Sequence, residues 1–156
     1  MLIVITNSVI GWSQSNFDLS DTSFKIGQKY ELKEMRFYLH GNDRIPKECK
    51  PELDSVVKFL QNHAQLTVEI STHTDSRGKD SSNIVISQMR AEWLRNYIVK
   101  QGIDPNKIIA KGYGESEPII SEKEIYMYRE TDKDKFNQLH QRNRRSELKI
   151  VKIDGI

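Results

Sequence analysis

Residues 66–102, LTVEISTHTDSRGKDSSNIVISQMRAEWLRNYIVKQG, contain the two clearest elements of secondary structure in the sequence. Apolar and polar residues alternate from Leu66 to Ser71, which predicts a half-buried β-strand. A helix is predicted from about residue 83 to residue 101, with Gly102 as its C-terminal cap. A strand that leads into a helix favours an α/β fold.

The segments on either side extend this pattern. The helix is expected to bury an apolar side made of Met89, Trp93, Leu94, Tyr97 and Ile98. Further predicted elements are strands over residues 30–39, 107–112 and 147–153, a helix that begins near Pro51, and a third helix with a capping box of Thr131 and Asp134. The helix near Pro51 is expected to have one apolar face, made of Leu53, Val56, Val57 and Leu60. The order β-α-β-α-β-(α)-β predicts an α/β sandwich, in which helices pack against a mixed sheet.

Composition narrows the class of protein. The chain has 156 residues, of which 37% are hydrophobic and 29% are charged, so it can bury a core without a metal or disulfide staple. The single cysteine, Cys49, cannot form an internal disulfide or a multi-thiolate metal site. A net charge of +2 argues against a binder of nucleic acid. Mean hydropathy of −0.65 and the lack of a run of about 20 apolar residues argue against a membrane-spanning helix.

The N-terminal residues differ from the rest of the chain. Residues 1–10, MLIVITNSVI, form its most apolar stretch, and small residues follow at Gly11 and Ser13. This is typical of a signal peptide, although no Lys or Arg precedes the apolar run. We expect a truncated signal peptide and a linker over residues 1–23 and one domain over residues 24–156; the alternative for the apolar run is a β-strand.

A group of polar residues surrounds the junction between the central strand and its helix. Asn83, Ser87 and Arg90 follow the spacing i, i+4, i+7, so they share one helical face. That face could lie against the loop that carries Asp75, because ligands gather at the carboxyl ends of strands in α/β folds. Taken singly, each residue has an ordinary explanation as a turn aspartate, a helix cap or a surface cation.

The sequence resembles a known family over roughly residues 24–153. The run T-D-x-x-G-x-x-x-x-N-x-x-I-S-x-x-R-A, residues 74–91, is similar to the signature of the OmpA-like C-terminal domain. Further similar motifs are Lys50-Pro51-Glu52-Leu53-Asp54, Gly112-Tyr113-Gly114-Glu115 and Arg142-Asn143-Arg144-Arg145. Several motifs in the right order are far more specific than one short pattern.

The resemblance implies non-covalent binding of peptidoglycan through the diaminopimelate of its stem peptide, without a cofactor or a metal. Asp75 and Arg90 match the family's main ligand contacts, and Asn83 and Thr74 match positions beside them. Arg144 is expected at the rim of the pocket. The implied location is the periplasm or the outer membrane of a Gram-negative bacterium.

The chemistry of that ligand suits the two charged residues. The free end of diaminopimelate carries an ammonium and a carboxylate on one carbon. Asp75 would accept hydrogen bonds from the ammonium, and Arg90 would present its planar fork to the carboxylate.

Two other classes of function remain open on the sequence, namely a periplasmic cell-wall hydrolase and a protein-interaction scaffold with a vestigial pocket. A hydrolase needs a second acid beside Asp75, and no spacing brings Glu115 or Glu117 to it. The four histidines lack metal-binding spacing, and no partner is evident for Cys49 as a nucleophile. We therefore expect a binding module and not an enzyme.

The sequence departs from the family pattern in two places. Residues 37–41 lack the acids expected after the first strand, and the first acid there is Asp43. Residues 121–141 form a longer, charged insertion, which we expect to be helical and to which we assign no functional residue.

Overall fold

A computed structural model describes residues 16–33, 45 and 47–155. Its strands are β1 (Lys29–Glu31), β2 (Leu66–His73), β3 (Ile108–Gly114) and β4 (Ser146–Ile153). Its helices are α1 (Lys50–Asn62), α2 (Asp80–Lys100), α3 (Glu122–Tyr126) and α4 (Lys133–Asn143). Single 3-10 turns, Lys47–Cys49 and Pro105–Lys107, precede α1 and β3.

The four described strands form one mixed sheet in the order β1-β4-β2-β3. β4 is antiparallel to both β1 and β2, whereas β2 and β3 are parallel and are joined through α2. This topology confirms the predicted α/β sandwich with a mixed sheet. Because parallel strands end at the same edge, the loops after β2 and β3 lie beside each other.

The core lies between one face of the sheet and the helices α1 and α2. The predicted apolar face of α1 is buried, namely Leu53, Val56, Val57 and Leu60. It meets the inward-facing residues of the two central strands, which are Val68, Ile70, Leu148 and Ile150. Within the described residues, no helix is both long enough and apolar enough to cross a membrane.

The buried face of α2 differs from the predicted one. Met89 is exposed, and Trp93 and Tyr97 are only half-buried. The face that packs on the sheet consists of Asn83, Ser87, Arg90, Ala91, Leu94 and Ile98. The polar residues therefore continue the same stripe as the apolar ones, rather than lying elsewhere around the helix, because the stripe passes from the core to the edge of the sheet.

Residues 16–23 are part of the domain, so their interpretation as a linker is wrong. Phe17 is buried in the core, where its ring stacks on Phe59 at 5.4 Å and meets Phe24 edge-on at 5.9 Å. Mutual burial of three aromatic rings is energetically favourable, so this segment is fixed in the core and is not a flexible linker. The expected signal peptide and its strand alternative fall mainly on residues 1–15, which lie outside the described residues, as do residues 34–39 of the predicted first strand.

Two helix starts also differ from the predictions. α2 begins at Asp80, three residues before Asn83, because the side chain of Asn83 bonds to the preceding loop and does not cap the helix. α4 is capped by Asp132, whose carboxylate accepts from the Lys135 backbone N–H at 2.9 Å. Thr131, the predicted cap, instead donates to the carbonyl of Met127 at 3.3 Å.

Candidate functional site

The loop of residues 74–79, between β2 and α2, carries the predicted aspartate. The Thr74 N–H donates to the carbonyl of Gly114 at 2.8 Å, which fixes the loop to the end of β3. The Arg77 N–H donates to Asp75 Oδ1 at 3.0 Å, closing a local turn. Gly78 then adopts a φ of +115°, which favours glycine. The fold therefore turns the Asp75 side chain inward.

Asp75 is buried among arginines, with only 3% of its side chain exposed. Its Oδ2 accepts from Arg77 Nη2 at 2.7 Å and from Nη1 of Arg144. Burial alone would raise the pKa of Asp75, but the hydrogen bonds from Arg77 and Arg144 outweigh burial and lower its pKa below the ordinary value of 3.8. Asp75 is thus a permanent carboxylate at neutral pH.

Arg90 comes to the same place from the inner face of α2. It is 6% exposed. Its burial lowers the pKa of its guanidinium, the charge of Arg144 lowers it further, and the charge of Asp75 raises it. The structure therefore brings Asp75 and Arg90 within electrostatic reach of each other, as the sequence predicted. Arg144 was expected at the rim, yet it contacts the central carboxylate itself.

Asn83 organises the loop rather than the helix. Its amide nitrogen donates to the carbonyl of Asp75 at 3.2 Å and to the carboxylate of Glu115 at 2.5 Å. Glu115 follows β3, so the parallel pairing of β2 and β3 brings it to the site although sequence spacing does not. Sequence reasoning missed Glu115 because its position depends on the topology: the residues that follow two parallel strands lie at the same edge of the sheet.

Several buried polar atoms at this edge have no hydrogen-bond partner among the described residues. They are Thr74 Oγ1, Ser76 Oγ, Arg144 Nε and both ring nitrogens of His140. Buried polar atoms are nearly always paired in folded proteins. Their concentration around Asp75 indicates a place where a polar ligand or water would find partners.

The charged insertion forms one wall of the site. His140 of α4 is fully buried and lies edge-on to the ring of Phe136, with ring centroids 4.6 Å apart. Asn137, one turn earlier, accepts from Arg77 Nη1 at 3.5 Å. Arg77, Asn137 and His140 were not identified from the sequence, because Arg77 occupies an unspecified position of the motif and α4 lies some sixty residues away.

A cavity of about 390 Å³ adjoins Arg144 on the side of β1. Its lining includes Lys33, Arg142, Arg144 and Arg145, against one acid, Glu31. The cavity beside Arg144 therefore carries an excess of positive charge, which favours ligands that contain carboxylates.

A sequence model described as the OmpA family matches residues 37–131, more than half of the chain. The chain belongs to the OmpA family. The matched region contains Asp75 and Arg90 and ends before α4, so Arg144 and His140 lie beyond it.

Two relatives extend the comparison beyond this OmpA-family match. Outer membrane protein A of Bordetella avium is 34% identical over 115 residues, which are 74% of this chain and 53% of that protein. The peptidoglycan-associated lipoprotein of Buchnera aphidicola is 27% identical over 108 residues, which are 69% of this chain and 59% of that protein. The chain spans less than two thirds of the length of the curated relatives it matches. These relatives are named for their place in the cell envelope and not for a reaction.

A solved structure shares the fold of this OmpA-family chain. A MotB-like protein from Desulfovibrio vulgaris superposes with a TM-score of 0.61 at 20% identity. The likeness covers 80% of this chain and 72% of that one.

Metal and thiol chemistry find no support in the described part of this OmpA-family chain. No three His, Cys, Asp or Glu side chains there come together as a metal site. His73 stacks on Tyr113 at 5.1 Å, and His63 packs on Phe24 and Phe59. Cys49 is buried in the core. His40 lies outside the described residues.

Proposed function

We propose that this chain binds peptidoglycan non-covalently and thereby attaches the protein, or the outer membrane, to the cell wall. The observation that carries the proposal is the placement of a buried carboxylate, Asp75, within electrostatic reach of the Arg90 guanidinium at the carboxyl end of a parallel strand pair. Membership of the OmpA family supports it, as does similarity to a relative named peptidoglycan-associated lipoprotein.

The ligand group we propose is the free end of diaminopimelate. Its ammonium would donate hydrogen bonds to Asp75, and its carboxylate would pair with Arg90, beside Arg144. The unpartnered hydroxyl of Thr74 would supply a further contact. Asn83 would act indirectly, since its amide already holds the loop and Glu115 in position. A polymeric wall offers many such groups, so weak single contacts would still retain the protein.

We propose binding without hydrolysis. A glycosidase needs a carboxylic acid with a raised pKa to protonate the leaving group. The surrounding guanidiniums lower the pKa of Asp75 instead, so it is unsuited to donate a proton at neutral pH. The proposed location is the periplasm or the outer membrane, in keeping with relatives that are named as outer-membrane proteins.

Isothermal titration with a diaminopimelate-containing muropeptide tests the proposal. Because each charge-assisted bond contributes about 1.5–3 kcal/mol, Asp75→Asn and Arg90→Gln should each weaken binding by about ten- to a hundredfold. Asp134→Asn and Arg129→Gln, changes of the same chemistry at exposed positions, are the matched controls and should bind like the wild type.

Thermal unfolding of each variant separates a lost contact from a lost fold. Affinity that survives both Asp75→Asn and Arg90→Gln would overturn the site assignment. Release of soluble fragments from purified sacculi by the wild-type protein would favour the hydrolase instead.

A further inference from the structure

Arg77 occupies the place that a ligand cation would take. Its Nη2 and Nε donate to Asp75 Oδ2 at 2.7 and 3.2 Å, so one oxygen of the carboxylate receives both arms of the guanidinium. The other oxygen accepts from the backbone N–H of the same residue at 3.0 Å. The carboxylate proposed to bind an ammonium is therefore already bound by a cation of its own loop.

Among Arg77, Arg90 and Arg144, Arg77 has the side chain that is least restrained by its surroundings. Its side chain is 31% exposed, whereas that of Arg144 is 9% exposed and Arg90 is 6% exposed. It lies in a loop, while Arg90 lies in the middle of a helix and Arg144 caps another. Beyond Asp75, a 3.5 Å hydrogen bond to Asn137 holds its far end to α4.

We infer that Arg77 is a specificity-determining residue, which competes with the ligand ammonium for Asp75 and releases the carboxylate only to a ligand that brings a carboxylate of its own. The inference rests on the proposed function and names the ligand class of the same site. On binding, the ligand ammonium would replace Arg77 at Asp75, and the displaced Arg77 would join Arg90 at the ligand carboxylate.

The exchange of ion pairs would discriminate between diaminopimelate and lysine, whose side chains both carry an ammonium. A diaminopimelate side chain offers an ammonium and a carboxylate, so every charge remains paired after Arg77 moves. A lysine side chain offers the ammonium alone and would leave Arg77 unpaired beside Arg90 and Arg144. Separating a half-buried guanidinium from its partner is unfavourable, so the lysine ligand should bind more weakly.

The test compares two muropeptides that differ only in diaminopimelate or lysine at the third position of the stem. In the wild type, the diaminopimelate muropeptide should bind more tightly. Arg77→Gln should raise the affinity for the lysine muropeptide by roughly tenfold, because Arg77 then no longer competes with the ammonium, while Arg144 remains paired with Asp75. Its affinity for the diaminopimelate muropeptide should change by less than about threefold, since loss of the competitor and loss of the carboxylate partner oppose each other.

Arg129→Gln is the matched control, because Arg129 is exposed and does not line the neighbouring cavity. It should leave both affinities within about twofold of the wild type. Adding Asp75→Asn to Arg77→Gln should abolish the gain for the lysine muropeptide, which a merely structural effect of Arg77 would not require.

The outcomes distinguish the two proposals. If the wild type binds the diaminopimelate muropeptide but Arg77→Gln gains nothing for the lysine muropeptide, the inference about Arg77 is overturned and the proposed function stands. If the wild type and Arg77→Gln bind neither muropeptide, the proposed function itself is overturned.

Discussion

At the scale of single residues, the buried carboxylates of Asp75 and Glu147 each lie beside cationic side chains. Glu147, on the sheet face opposite the helices, pairs with Lys29 and with Arg145, each at 2.8 Å. His73 lies 3.7 Å from the same carboxylate. Burial alone would raise the pKa of Glu147, but these partners lower it far below its usual range. The sheet thus carries a charged cluster on the face that its apolar core does not use.

Glu147→Gln should destabilise the domain by about 3 kcal/mol at neutral pH, because it leaves the buried Arg145 and the half-buried Lys29 without this counter-charge. Urea unfolding measures the change. Glu130→Gln removes a carboxylate whose side chain is 86% exposed and should change the free energy of unfolding by less than about 0.5 kcal/mol. Equal stabilities of the two variants would mean that the Glu147 cluster contributes nothing.

Asp75 and Arg90 could be predicted from the sequence because a linear motif specifies them. Arg77 could not be predicted, although it lies inside the same motif. Whether a loop arginine points to solvent or folds back on Asp75 depends on the turn closed by its own N–H and on the contact with Asn137. Neither leaves a pattern in the sequence.

At the scale of elements, the close approach of α2 to β3 holds the site together. Gly112 lies so near α2 that an added Cβ would come within 2.1 Å of the Gln88 backbone nitrogen. Ser87 Oγ accepts from the Gly114 N–H at 2.9 Å, and Gln88 Oε1 accepts from the Gly112 N–H at 2.8 Å. Ser87, the serine of the motif, therefore has a packing role: its hydrogen bond to β3 fixes the position of α2, which carries Asn83 and Arg90, relative to the loop.

Gly112→Ala should therefore destabilise the domain by about 3 kcal/mol, since backbone must move to admit the methyl group. Gly102→Ala is the control: its φ of +95° disfavours alanine, but no atom of the described residues lies within 4 Å of the new Cβ, so a loss of about 1 kcal/mol is expected. Chemical denaturation compares the two variants. A smaller loss for Gly112→Ala than for Gly102→Ala would contradict this account of the contact.

Periodicity predicted the elements more reliably than their buried sides. The face of α1 was predicted correctly because its apolar residues alone define it. On α2, we predicted that Met89 and Trp93 are buried, but the structure buries Ser87 and Arg90. Ser87 accepts a hydrogen bond from the end of β3, and Arg90 interacts with the opposite charge of Asp75. Hydrophobicity cannot identify a buried face whose outer half is polar.

At the scale of the whole molecule, the shifted groups respond to acid in the same direction. Burial lowers the pKa of His73 and of His140 below 6.5. Although burial opposes it, hydrogen bonds with cationic partners lower the pKa of Asp75 and of Glu147. All four groups hold fewer protons in the folded than in the unfolded chain, so their contribution to stability is complete at neutral pH and is lost as the pH falls.

The melting temperature should accordingly fall as the pH is lowered from about 7 to about 4, by at least about 5 °C. The histidines act first, below pH 6.5, and the carboxylates follow as the pH passes below the ordinary values of 4.5 for Glu147 and 3.8 for Asp75. Scanning calorimetry at constant ionic strength measures the effect. Glu147→Gln should flatten the lower part of the profile, and a melting temperature that rises towards pH 4 would reverse the assigned sign.

The fold class and the order of its elements followed from alternation, helical spacing and turn residues. The site as a whole did not, because its walls come from distant parts of the chain: Arg144 reaches Asp75 across 69 positions. Sequence spacing carries no information about such a meeting, which depends on β4 returning beside β2.

That return has a mechanical consequence for the proposed attachment to the cell wall. Arg144 immediately precedes β4, the strand that lies between β1 and β2. A force that separates β4 from β2 would therefore break the Arg144–Asp75 ion pair together with the sheet. Under the proposed function, a bound peptidoglycan fragment that contacts both Asp75 and Arg144 would hold β2 and β4 together. The domain should therefore resist unfolding by force most strongly while the ligand is bound.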